Sequence, residues 1–104
     1  MSDRRLFYSP LARRDLDEIF EYISTELENP SSASGTVDAI LDQAEKLEEF
    51  PFIGIVEGLP FATDTYRFLC VRNYLVFYRV SESEIFVDRI LYAKREYRTL
   101  LNLQ

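Results

Sequence analysis

The hydrophobic pattern changes period twice along the chain. "RRLFYS" is short and rich in large apolar residues and predicts a first strand. Ser9 then stands as an N-cap with Pro10 at the first helical position. From there Leu11, Leu16, Ile19, Phe20, Ile23 and Leu27 recur at three- and four-residue steps. That is the apolar stripe of an amphipathic helix, with Asp15, Asp17, Glu18 and Glu21 on its other side. The pattern restarts at "ENPSSASG", where Asn29 can cap and Pro30 can open a second helix. Its stripe is Val37, Ile40, Leu41, Ala44 and Leu47, ended by Pro51. Gly35 in its first turns costs about 1 kcal/mol relative to Ala and weakens that end. So short a break predicts an antiparallel helical hairpin.

"PFIGIVEGLPFATD" reads as a loop, holding two of the three Gly and two of the four Pro. After it the chain becomes dense in aromatic and β-branched residues. "TYRFLCVRNYLVFYRV" predicts two strands broken at Arg72-Asn73, "SESE" a turn and "IFVDRILY" a further strand. "KREYRTLLNL" can close as a short helix. The expected fold is therefore α+β: an N-terminal strand, then an antiparallel two-helix hairpin packed on one face of a small, mainly antiparallel sheet of about four strands, then a short C-terminal helix. One domain over residues 1–104 is expected, with no repeat or linker.

Charge changes the picture of the surface. The 104 residues carry a net charge of -6. Residues 1–64 hold five basic and fourteen acidic side chains, a balance of -9. Residues 65–104 hold seven basic and four acidic, a balance of +3, much of it in "DRILYAKREY". The molecule is polarised, acidic on the helices and basic on the late strands.

Composition excludes several chemistries. The chain has no His, which removes His ligands, Ser-His triads and His general bases. One Cys, Cys70, allows neither an internal disulfide nor a Cys-based zinc site and reads as a small buried hydrophobe. No metal or other cofactor is expected. No apolar run approaches 18 residues and the start lacks a signal-peptide core, so a cytoplasmic protein with no membrane partner is expected.

The order and residues resemble the RelE/ParE toxin superfamily of bacterial type II toxin–antitoxin modules, the plasmid-stabilisation type. The resemblance runs through "SPLARRDLDEIFEYI", the "NPSSA" break, "LEEFPFIG", "YRFLCVRNYLVFYRV" and "IFVDRILYAKREY". Many relatives have a basic residue where Ile55 stands and several have His where Tyr92 stands. The resemblance implies a toxin neutralised by a cognate antitoxin protein. RelE-like members cut mRNA in the ribosomal A site, and ParE-like members block DNA gyrase without cleaving anything. The expected function is a ribosome-dependent mRNA endoribonuclease acting with ribosome and mRNA. The alternatives are a non-enzymatic gyrase inhibitor and an inactive member that binds antitoxin only.

Metal-independent RNA cleavage needs a proton acceptor, charge stabilisation on the phosphorane and a proton for the leaving oxygen. Arg suits the second task because its planar fork stays charged and pairs with phosphate oxygens. Strand alternation puts Tyr66, Phe68, Cys70 and Arg72 on one face, with Arg67, Leu69 and Val71 on the other. It likewise groups Val87, Arg89 and Leu91 against Asp88, Ile90 and Tyr92, unless a bulge intervenes. Arg67, Arg89 and Tyr92 are the expected catalytic residues, near a sheet face left open by the hairpin. Arg72, Lys94, Arg95 and Arg98 are the expected contacts to nucleic acid or target. Each also has a plainer role: Arg67 and Arg89 as salt-bridge partners of helix carboxylates, Tyr92 as packing and Lys94 and Arg95 as a solvated helix start. Tyr97 reads as an anchor. Glu45, Glu48 and Glu49 could hold a proton-accepting group.

Overall fold

The computed structural model describes residues 4–57 and 66–94. Strand β1 (Arg5–Tyr8) leads into helix α1 (Pro10–Glu21), and helix α2 (Pro30–Glu45) follows. Strands β2 (Ile55–Glu57), β3 (Tyr66–Val71), β4 (Tyr74–Val80) and β5 (Glu84–Tyr92) complete the described elements. The caps form as the sequence implies. The Ala12 N–H donates to Ser9 Oγ at 2.9 Å, and the Ser32 N–H donates to Asn29 Oδ1 at 3.1 Å. α1 runs on into a π-helical turn, Tyr22–Glu26, and α2 tightens into a 3₁₀ turn, Lys46–Glu48.

The sheet has five strands in the order β1-β5-β4-β3-β2. β1 lies parallel to β5 and the other pairs are antiparallel. The fifth strand, β2, forms within the stretch expected to be loop; its three residues pair with Tyr66–Phe68. The expected C-terminal helix lies outside the described residues.

Both faces of the sheet carry buried side chains. Val71, Tyr74, Val76, Tyr78, Ile85, Val87 and Ile90 pack with Ala12, Ile19, Ile23, Ala33, Ile40, Ala44 and Leu47 of the helical layer. On the second face Leu75, Phe77 and Leu91 form a separate buried cluster with Tyr66 and Phe68 against it. The expected open face is thus corrected: Phe77 is 0% exposed. Burying a Phe or Leu side chain is worth roughly 1.5–3 kcal/mol, which is why an apolar face of this kind is not left to water.

The helix stripe also shifts. Ala12, Asp15, Ile19 and Ile23 are the buried positions of the first helical segment, while Leu11, Phe20 and Leu27 are exposed. Cys70, expected inside, is exposed. It lies on β3 next to the hairpin tip, past the second-face cluster, with its thiol 3.5 Å from the Arg72 carbonyl.

Candidate functional site

Arg89 is held by a buried carboxylate. Its Nε donates to Asp15 Oδ2 at 2.9 Å and its Nη2 to Asp15 Oδ1 at 3.0 Å. The Ile90 N–H donates to the same Oδ2 at 2.8 Å. β1 ends opposite Val87, so the next part of β5 has no strand on that side. α1 covers this edge: Ser9 Oγ donates to the Asp88 carbonyl at 2.7 Å, and Asp15 takes the Ile90 N–H. An unpaired edge amide would be costly to bury, and Asp15 removes that cost while neutralising Arg89. The hydrogen bond to Asp15 is the main cause of an Arg89 pKa raised above its usual value.

A bulge brings this about. Phe77 pairs with Arg89 and Tyr78 with Val87, leaving Asp88 as the extra residue on β5. Val87 and Ile90 therefore both face the helices, three positions apart, and the strict alternation expected for this strand fails there. Asp88 pairs instead with Arg79, whose Nε donates to Oδ2 at 2.6 Å and Nη2 to Oδ1 at 3.1 Å.

Arg67 belongs to a different neighbourhood. It shares the helix-side face of β3 with Leu69 and Val71, but it lies beside the segment that follows α2. Its Nη1 donates to the Phe52 carbonyl at 3.2 Å and the Gly54 carbonyl at 3.1 Å. Its guanidinium stands 5.0 Å from the centroid of the Phe52 ring, and that of Arg4 stands 5.2 Å from it. Close by, the fully buried Tyr78 hydroxyl donates to the Pro51 carbonyl at 3.0 Å and accepts the Gly54 N–H at 2.8 Å. Burial raises the Tyr78 pKa, against the opposing pull of the Gly54 amide and the Arg67 charge.

Two further expected residues, Arg72 and Tyr92, line a groove of about 700 Å³ between the α1–α2 connection and the β3–β4 hairpin tip. Ile19, Ile23, Leu27 and Ile90 give it an apolar floor, and Tyr22, Tyr74 and Tyr92 line it. The rings of Tyr74 and Tyr92 meet edge to face at 5.8 Å. Burial, then the neighbouring Tyr92 and Tyr22, raises the Tyr74 pKa. Arg72 enters the same groove from the two-residue turn, with Nη1 donating to Thr36 Oγ1 at 2.8 Å.

The structure thus places the three expected catalytic residues separately: Arg67 against Phe52 and Gly54, Arg89 on Asp15, and Tyr92 in the groove beside Tyr74. Of the four expected target contacts, Arg72 lies in the groove, Lys94 is exposed past the end of β5, and Arg95 and Arg98 lie outside the described residues, as does Tyr97. Glu45 and Glu48 act on Tyr8, whose pKa burial and these two charges push up to about 12. Asp15 and Phe52 carry much of the site geometry and were not singled out from the sequence. Asp15 had a readable signal, since it stands three residues after Ala12 and four before Ile19, on the ladder of buried positions. Among the described residues no group of three or more Cys, Asp or Glu side chains is arranged to hold a metal ion. No described helix is long and apolar enough to cross a membrane.

The family model described as "ParE toxin of type II toxin-antitoxin system, parDE" matches residues 6–97. The chain belongs to that family, within the wider RelE/ParE superfamily. A solved structure titled "Chromosomal ParDE TA system from P. aeruginosa" aligns with a TM-score of 0.72 over 88% of this chain and 98% of that one, at 24% identity. That likeness bears on the fold. No curated protein sequence matches the chain.

Proposed function

We propose that this ParE-family toxin acts without catalysis, by binding and blocking DNA gyrase, and that a cognate antitoxin neutralises it. The observation that carries the reading is the internal commitment of Arg89. Its fork is already filled by the Asp15 carboxylate, so a phosphate would have to displace a buried, hydrogen-bonded partner. Arg67 likewise spends two donor contacts on backbone carbonyls. With no His in the chain, the carboxylate beside Arg89 is Asp15, and both its oxygens are already taken by that fork and the Ile90 amide. A blocking toxin needs none of this machinery.

One observation favours the second reading, a ribosome-dependent mRNA endoribonuclease. Phe52 is 55% exposed and lies beside two guanidiniums, an aromatic and cationic surface of the kind that single-stranded nucleic acid uses for stacking and charge. One experiment separates the readings. The wild-type protein is induced, RNA ends are mapped on translated messages, and gyrase supercoiling is assayed in parallel. Inhibited supercoiling with intact messages supports the blocking toxin. New cuts at A-site codons with normal supercoiling overturn it, and no effect in either assay leaves an inactive antitoxin binder.

A further inference from the structure

Arg72 holds a backbone conformation that its residue type disfavours. Its φ is +54°, in the left-handed region, and Glu28 is the other described non-glycine residue with positive φ. A two-residue hairpin turn with positive φ at its first position usually takes Gly there. Keeping a non-glycine residue there costs on the order of 1–3 kcal/mol, and such strain concentrates at binding sites.

What the strain accomplishes is visible at the other end of the side chain. The guanidinium lies against Gly35 of α2, where an added Cβ would stand 3.6 Å from Nη1 and 3.7 Å from Nη2. Among the described residues it donates one hydrogen bond, to Thr36 Oγ1, itself almost fully buried. The groove's carboxylates are turned to another cation: Asp15 is bound to Arg89, and Glu18 acts on Arg89 as well. Among the described residues no carboxylate lies within ion-pairing distance of Arg72. A guanidinium has five N–H donors, and among the described residues Thr36 takes one of them, so a fixed positive charge with donors to spare lines an apolar, tyrosine-lined groove.

We propose that Arg72 is the specificity-determining residue of this groove, and that the groove takes an amphipathic segment of the antitoxin carrying an Asp or Glu that pairs with Arg72. The inference rests on the toxin–antitoxin reading above. Charge complementarity selects the acidic residue, and Ile19, Ile23, Leu27 and Ile90 select apolar neighbours for it. A nucleic-acid strand fits less well, because among the described lining residues Arg72 is the one cation, whereas a phosphate backbone is held by several.

The test uses the full chain and, as probe, the purified small protein encoded by the adjacent reading frame. Arg72→Gly relaxes the turn while removing the guanidinium. It should leave the thermal unfolding midpoint within a few degrees of wild type and weaken the complex roughly ten-fold or more. Arg72→Lys should recover part of the affinity, and Arg72→Glu should be rescued by an acidic-to-Lys change in the probe's tail. A complex of unchanged affinity with Arg72→Gly overturns the role of Arg72 while leaving the toxin–antitoxin reading intact. No complex with the wild-type chain overturns both. Binding of a single-stranded RNA oligonucleotide that disappears in Arg72→Gly overturns the peptide assignment.

Discussion

Gly54 and Tyr78 occupy space that excludes a side chain at the glycine. The Gly54 N–H reaches the Tyr78 hydroxyl at 2.8 Å, and that hydroxyl donates in turn to the Pro51 carbonyl. A Cβ on residue 54 would lie 2.7 Å from Tyr78 Cε1 and closer still to the hydroxyl. The contact pins the chain after α2 to the middle of the sheet and so fixes where β2 and Phe52 stand.

Gly54→Ala should therefore destabilise the fold by about 1–3 kcal/mol through overpacking. Tyr78→Phe should cost about 1–3 kcal/mol by leaving the Gly54 amide without its acceptor. Urea unfolding of both variants checks the two values. Wild-type stability in either would mean that the segment docks by other contacts.

Asp15→Ala strands Arg89 and the Ile90 amide together, and should cost about 3–5 kcal/mol. Arg89→Ala should cost a comparable amount. The double variant should lose clearly less than the two losses combined, since one interaction is removed twice. Additive losses in a double-mutant cycle would show that the pair is not coupled.

Alkaline pH should unfold the protein through its tyrosines. Tyr8 is pushed up to about 12 in the fold, from an ordinary value near 10. Its neutral form is thus favoured in the native state. The stability it contributes is complete below pH 10 and is lost as pH rises from 10 towards 12. Tyr74 and Tyr78 are raised too and act in the same direction. The urea midpoint should stay level with respect to these groups below pH 10 and then fall. Tyr8→Phe should make that fall shallower, and an unchanged slope would remove Tyr8 from the cause.

Arg67→Ala loses two charge-assisted contacts and should cost about 1–2 kcal/mol, discounted because the site is partly solvated. Under the blocking reading the folded variant keeps its toxicity. Under the nuclease reading it loses roughly 100- to 1,000-fold in cleavage rate. Growth arrest measured alongside a circular-dichroism melt distinguishes a lost activity from a lost fold.

The sequence was most informative where local chemistry decides the outcome. Ser9 and Asn29 cap as their types predict, Arg72-Asn73 divides β3 from β4, and the family resemblance agrees with the fold. It was least informative where one residue's fate depends on a distant one. Asp15 looked like a solvated helix carboxylate because its partners, Arg89 and the Ile90 amide, are 74 and 75 residues away. The bulge at Asp88 carries no local signal either, since it depends on register against β4, and it moved Arg89 out of its expected company. β2 is three residues long, too short for alternation to register, and exists through pairing with β3.

The parallel pairing of β1 with β5 sets an order in time during synthesis. Arg5 finds its partner in Glu84, so the first strand cannot join the sheet until β5 has been made. At roughly 5–20 residues per second, the 79 residues from Leu6 to Glu84 take about 4–16 s. Through that interval the apolar side chains of β1 have no strand to lie beside, and Asp15 has no Arg89. The β1–β5 edge, and with it the buried Asp15–Arg89 pair, can therefore form only once β5 has been synthesised.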